Sequence, residues 1–233
     1  MNVSVAIATY NGEKYIEKQL KSIVSQLDVS DEVIVSDDGS TDDTIRIVEK
    51  FCSEFQNIKV VVGPQKGIVR NFMNAIAYCK NDIIVFSDQD DIWCDSKIKE
   101  TKDFFEKNPK VKVLLHNAEL MKENELIKER LLKYRKGFFI NLIKSCYWGC
   151  CMASKREFLD KYFDEYSDGI AHDQIIGLLG EKLNVCAYMD KTLIYHRIHA
   201  NNKTKSLSVI QKIMFRINVY NDFKKYYNKG KAK

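Results

Sequence analysis

The segment Asp88-Gln89-Asp90-Asp91 follows the apolar run Ile83-Ile84-Val85-Phe86 and precedes Ile92-Trp93. Carboxylates at i and i+2 on the end of a buried strand face the same way, because side chains alternate along a strand. Hard oxygen ligands so placed suit Mg²⁺ or Mn²⁺, which bridge a protein carboxylate to substrate phosphates. For an isolated Asp-x-Asp the plain alternative is a solvated acidic turn. The segments upstream decide between the two.

Val3–Ala8 reads as a first strand, and Thr9-Tyr10-Asn11-Gly12 as the loop after it. Ile16, Leu20, Ile23, Val24 and Leu27 then recur at helical spacing. Glu32–Ser36 is a second strand, Asp37-Asp38-Gly39-Ser40 a turn, and Thr41 or Asp42 the expected cap of a helix carrying Ile45, Val48 and Phe51. A third strand (Ile58–Val62) and a helix striped by Ile68, Phe72, Ile76 and Cys79 lead into the strand before the acidic cluster. Four strands alternating with three helices call for a parallel sheet covered on both faces, with functional groups at the strand C-termini. Tyr10, Asp37, Asp38, Asp88 and Asp90 all fall at that edge. Several strand ends thus deliver polar side chains to one place, as a nucleotide crevice requires and a solvated turn does not.

Beyond Asp91, residues 96 to 107 read as a helix and 111 to 116 as a strand. Residues 119 to 140 lack clean periodicity and suggest a helical or mobile excursion over the site. Residues 147 to 153 are extended, 172 to 183 helical, and two strands follow near 185–189 and 193–196. The expected organisation is one domain over residues 1–202, then a basic extension over 203–233. No apolar run approaches the roughly 20 residues needed to span a bilayer, and no secretory leader is evident, so a cytoplasmic protein is expected. The seven cysteines show no C-x-x-C pair, which argues against a disulfide framework or a zinc site. Of the net charge of +5, residues 203–233 contribute +8, leaving a body of −3. A nucleic-acid binder would show a broad basic face, so none is expected as partner.

Val5-Ala6-Ile7-Ala8-Thr9-Tyr10-Asn11-Gly12, Val33–Asp42 and Phe86-Ser87-Asp88-Gln89-Asp90-Asp91-Ile92-Trp93 together resemble the family 2 glycosyltransferases of the GT-A fold. The likeness continues through Gly149-Cys150-Cys151-Met152, His172-Asp173 and residues 196–202, covering about residues 3 to 202. Ser-Asp-Gln-Asp-Asp-Ile-Trp looks like the branch holding bacterial rhamnosyltransferases. The resemblance implies an α/β, mainly parallel sheet and an inverting, Mn²⁺- or Mg²⁺-dependent transfer. The sugar would pass from a UDP- or dTDP-linked donor to a glycan or lipid-linked acceptor of a capsule or O-antigen pathway.

The same resemblance distributes roles. Ala8, Thr9 and Tyr10 match the loop flanking the nucleobase, and Asp38 the carboxylate that accepts its imide N–H. Asp88 matches the position near ribose and metal, Asp90 the metal ligand proper, and His199 a histidine that completes the metal shell or touches the diphosphate. His196, three residues away, competes for that last role. Asp173 matches the base that takes the acceptor's proton, at the start of a helix whose dipole is expected to keep it ionised. The alternative is that it merely caps that helix. The family often carries Glu-Asp where His172-Asp173 stands here. Trp93 and Trp148 are candidates to floor a sugar site, or core aromatics.

Two other functions bear weighing. A sugar nucleotidyltransferase would want a Gly-rich phosphate loop with Arg after the first strand, which Thr9-Tyr10-Asn11-Gly12 is not. A catalytically silent nucleotide-sugar module would have no need of Asp38, Asp90 and Asp173. In the tail, Leu207, Ile210, Met214, Ile217 and Phe223 suggest an apolar stripe on a helix over 206–227. That helix either lies on the inner face of an anionic membrane or packs back on the domain.

Overall fold

The computed structural model describes residues 1–122, 125–164, 169, 171–198 and 208–232. Its strands are β1 (Val3–Thr9), β2 (Glu32–Asp37), β3 (Ile58–Val62), β4 (Ile83–Ser87), β5 (Ile92–Trp93), β6 (Val113–Lys122), β7 (Glu125–Arg130), β8 (Met152–Lys155) and β9 (Cys186–Ile198). Its helices are α1 (Ile16–Val24), α2 (Thr44–Glu54), α3 (Ile68–Tyr78), α4 (Lys97–Lys107), α5 (Phe138–Ile143), α6 (Arg156–Tyr162), α7 (His172–Lys182) and α8 (Val209–Ala232). The strands form one sheet in the order β3-β2-β1-β4-β8-β6-β9-β5, with β7 hairpinned onto β6.

The parallel half is β3-β2-β1-β4. All seven residues of β1 are buried, as a central strand covered on both faces requires. Alternate β1 residues feed opposite layers: Val3, Val5 and Ile7 join Ile16, Leu20 and Ile23 of α1, while Ala6 and Ala8 join Phe72, Met73 and Ile76 of α3. Beyond β4 the sheet turns mixed, because β8 runs antiparallel to both β4 and β6, and β9 is parallel to β6 but antiparallel to β5. The expected α/β class with a mainly parallel sheet is therefore what the structure has.

Four expectations change. β4 ends at Ser87, so Asp88 and Asp90 lie in a turn and strand alternation does not orient them. Helix α2 begins at Thr44, with Asp42 accepting the Thr44 N–H at 3.0 Å. The segment after His116 is no helical excursion: β6 runs on to Lys122 and pairs with β7, while Glu123 and Asn124 lie outside the described residues. The two short strands expected near 185–196 are one thirteen-residue β9, whose pairing with β6 shifts register near Asn117.

Helix α8 packs on α5, α6 and α7 through Val219, Phe223, Tyr226 and Gly230. Helix α7 in turn rests on Tyr147: a Cβ added at Gly177 would stand 2.5 Å from that buried ring. Overpacking typically costs ~1–3 kcal/mol, more than the ~1 kcal/mol of helix propensity that alanine regains. Gly177→Ala should therefore lower stability by about 1 kcal/mol net, read as a lower urea midpoint with unchanged slope. A midpoint at or above wild type would show that the ring gives way freely.

Candidate active site

The C-terminal ends of β1, β2 and β4 are fastened to one another before any ligand arrives. Asp37, 4% exposed, accepts the Gly39 and Ser40 N–H groups on Oδ1 and the Thr9 and Ser40 hydroxyls on Oδ2. Gly39 takes φ +91° in that turn, which favours glycine. Gln89 holds the Tyr10 peptide from both sides, accepting its N–H at 2.9 Å and donating to its carbonyl at 3.1 Å. Asn71 reaches up from α3 to donate to the Thr9 and Ser36 carbonyls.

These ends open onto a cavity of about 1140 Å³. Ala8, Thr9, Tyr10, Asp38, Asp88 and Asp90 all line it, so six of the expected site residues share one crevice. Tyr10 is 57% exposed, leaving its ring available for stacking. The Thr9 hydroxyl is committed to Asp37 and Ser36, so Thr9 serves as loop geometry rather than as a free contact. Asp38 accepts the Gln65 N–H at 2.7 Å and the Gly67 N–H at 2.8 Å, one on each oxygen. Each oxygen keeps a second lone pair for a ligand. Trp148 lines the cavity and meets His196 edge-on, whereas Trp93, 2% exposed, is core.

Around the turn after β4, acidic charge is concentrated. Ligand atoms of Asp88, Asp91, Cys150 and His196 all lie within 4.8 Å of one another. The short β5–β9 pairing brings Asp91 to His196, whose Nδ1 is 2.8 Å from Asp91 Oδ1. Arg197 adds its backbone N–H to the same oxygen, and its guanidinium donates to the Asp90 carbonyl. Burial, then the charges of Asp91 and Asp90, push the Asp88 carboxyl up to about 7. Burial works against protonation of His196, but the hydrogen bond and charge of Asp91 outweigh it and raise the imidazole to about 9. Behind the cluster, Lys97 is wholly buried, donates to the Cys150 carbonyl at 3.0 Å and stands 4.0 Å over the Trp93 ring.

Carboxylates with an imidazole form a donor set that fits Mn²⁺ or Mg²⁺, and Asp91 Oδ2 is buried with no partner among the described residues. His199 lies outside the described residues. The histidine observed beside the acidic cluster is His196. Asp91 and Cys150 were not singled out as site residues from the sequence. Only the adjacency of Asp91 to Asp90 pointed to it, and the Gly149-Cys150-Cys151-Met152 segment carried no hint that its thiol meets β9.

Asp173 stands in the first turn of α7, and its charge is felt at Asp88. Burial raises its carboxyl above the ordinary range, while His172 and the N–H groups of Gln174, Asp173 and Gly149 oppose the rise. The helix terminus therefore does not set the net direction, as the sequence reading had it: burial does. Its neighbour His172 lies against Phe72, ring centroids 4.5 Å apart, and burial lowers its imidazole below the ordinary value against the pull of Asp173.

A family model described as glycosyl transferase family 2 matches residues 4–163. The chain belongs to that family. It is 46% identical to the dTDP-rhamnosyl transferase RfbG of Shigella flexneri over 103 residues, 42% of this chain and 36% of RfbG. It is 28% identical to the UDP-Glc:alpha-D-GlcNAc-diphosphoundecaprenol beta-1,3-glucosyltransferase WfgD of Escherichia coli over 149 residues, 64% of this chain and 57% of WfgD. The matches thus span about a third of one relative and just over half of the other. TarS of S. aureus in complex with UDP superposes with a TM-score of 0.65 at 26% identity, covering 85% of this chain and 61% of that one. The glucosyl-3-phosphoglycerate synthase of Mycobacterium tuberculosis, solved with Mn²⁺ and UDP, shares the fold: TM-score 0.63, 19% identity, 96% of this chain and 80% of that one. The architecture of this family 2 chain is the GT-A fold.

In the metal-free protein both raised groups favour the protonated fold. Ionising Asp88 costs stability as pH rises from its ordinary value of 3.8 through about 7. The stabilising His196 charge, fully present below 6.5, is lost as pH rises through about 9. Both signs agree, so the stability contributed by the cluster should fall steadily between pH 4 and 9. Thermal melts in chelator at stepped pH measure the slope. An Asp88→Asn, His196→Gln double variant should flatten it.

Proposed function

We propose that this protein is an inverting, metal-assisted glycosyltransferase of bacterial surface-polysaccharide assembly. It would move a hexosyl or deoxyhexosyl group from a UDP- or dTDP-linked donor to a hydroxyl of a glycan or lipid-linked acceptor. The observation that carries the reading is the convergence of Tyr10, Asp38, Asp88 and Asp90 on one cavity, beside a buried acidic cluster and a half-buried Asp173. The family match favours sugar transfer over nucleotidyl transfer. The names of RfbG and WfgD support the donor and acceptor classes.

In this reading the Tyr10 ring covers the nucleobase and Asp38 accepts its imide N–H, held in place by the Gln65 and Gly67 amides. Asp88 faces the ribose, and Asp88, Asp90 and a histidine of the β9 end would hold the cation, which when bound would supply charge compensation for the diphosphate leaving group. Inversion needs a single displacement from the opposite face, and Asp173 takes the proton of the attacking hydroxyl. A carboxylate raised by burial is the stronger base once ionised, and its loss on protonation sets the acid limb of the rate profile. The domain reading follows: residues 1–91 bind the donor, and 92–202 carry the base and the acceptor side.

A panel of UDP-, dTDP- and GDP-sugars with Mn²⁺ should single out one donor by raising the melting temperature, since a ligand bound only by the native state stabilises it. No stabilisation by any member would remove the reading. With that donor, Asp173→Asn should cut turnover by ~10²–10⁴-fold while leaving the donor-induced shift in place. Unchanged turnover would return Asp173 to a helix-capping role.

A further inference from the structure

Helix α8 has two faces of different character along its length. Val219, Phe223, Tyr226 and Gly230 are buried against the domain. At 100° per residue, Ile210, Ile213, Met214 and Ile217 project from roughly the opposite side. They are 74%, 56%, 51% and 46% exposed. The stripe expected from the sequence is thus divided: Phe223 belongs to the packed face, and Leu207 lies outside the described residues. Next to α8 stands α5, joined through Phe138 and Phe223 with ring centroids 4.7 Å apart. Leu142 of α5 also packs on the core, whereas Phe139, Ile140 and Ile143 are exposed, two of them to about three quarters.

We propose that the exposed apolar faces of α5 and of the first half of α8 form one docking surface for an anionic lipid bilayer. The proposal rests on the glycosyltransferase reading only for its purpose, which is to bring a lipid-linked acceptor to the base. Exposed apolar side chains gathered on α8 and on its neighbour α5 mark an interaction site rather than scattered exposure. Its surroundings select the partner. Helix α8 carries Lys212, Arg216, Lys224, Lys225, Lys229 and Lys231 against one acid, Asp222, and Arg135, Lys136 and Lys144 flank α5. By the same 100° step, Lys224, Lys225 and Lys231 are exposed on the side of α8 that carries the apolar stripe, farther along the helix, and apolar side chains followed by exposed cations match the acyl boundary and headgroups of an anionic leaflet. No described helix is long and apolar enough to cross a membrane, so the contact is a peripheral one. The surface also borders the chemistry: Arg216 donates to Gln174 Oε1 at 2.7 Å, one residue from Asp173.

Truncating α8 would remove core residues, so point variants on its outer face are the fitting test. The full chain should float with phosphatidylglycerol–phosphatidylcholine vesicles and not with phosphatidylcholine alone. Ile213→Gln with Ile217→Gln, and separately Phe139→Ser with Ile143→Ser, should each weaken flotation by at least about tenfold, with melting temperature unchanged. Wild type remaining unbound to anionic vesicles, or variants floating as well as wild type, would overturn the proposal. So would a concentration-dependent dimer in light scattering that these variants dissociate while wild type ignores vesicles, because the surface would then join two copies. Donor-induced thermal shifts on the same variants separate the two readings: they should match wild type whatever the vesicles show, and their absence in wild type would count against glycosyl transfer alone.

Discussion

Mutual repulsion among Asp88, Asp90 and Asp91 is the constraint around which the second half of the fold is arranged. Three carboxylates in four residues at the end of a buried strand call for compensation, since burial first and then the charges of Asp91 and Asp90 push Asp88 up. Compensation comes from distant sequence. Strand β9 reaches back along β5 to place His196 and the Arg197 amide on Asp91, and α4 sends Lys97 in from behind. Burial pulls the Lys97 ammonium down to about 8, while Cys151, Cys150 and Asp91 hold it up. A cation in the crevice, as proposed above, would complete what these groups begin, so charge balance in the fold and a place for such an ion would come from the same residues.

The donor side follows a different logic. Its loops are tied down by side chains bonding to backbone: Asp37 to the turn after β2, Gln89 to Tyr10, and Asp38 to the 65–67 segment. Ordering costs that a ligand would otherwise meet on binding are thereby met in folding. Charged side chains do this at crevice edges because each accepts two amides at once, and charge-assisted bonds are the stronger kind. Asp38 has a double duty, since the carboxylate expected to read the base also holds the loop opposite. Its removal would therefore loosen the wall as well as lose a contact.

Legibility in the sequence tracks how local the determining interactions are. Residues 3 to 87 alternate strand and helix with clear periodicity, and the structure follows them within a few residues. The β6–β7 hairpin was missed because β7, Glu125–Arg130, is charged and pairs only at an edge, leaving no buried alternation to read. Strand β9 looked like two strands because Asp190-Lys191 is charged and exposed where the register shifts. At the site, Tyr10, Asp38, Asp88 and Asp90 were legible from their places at strand ends. The partnership of Asp91, Cys150 and His196 was not, for it depends on pairing between segments more than 40 residues apart. Asp173 was placed in its helix correctly, but the direction of its titration depends on burial, which spacing does not reveal.

Helix α8 shows why an average over an element can mislead. Taken whole, it has little net amphipathicity, and its composition suggests a solvated basic tail. Divided at its middle, it holds two apolar stripes on opposite sides, one at 219, 223, 226 and 230 and the other at 210, 213, 214 and 217, which cancel when summed. The first is buried in the same cluster as Ile175, Ile176 and Leu179 of α7. Because Asp173 begins α7 and Gln174 takes the Arg216 guanidinium, the helix that carries the proposed base is braced by the helix that carries the exposed stripe. Packing of this kind transmits position, so whatever engages the outer face of α8 is tied through α7 to Asp173. Residues 209 to 232 are in this sense built into the domain rather than appended to it.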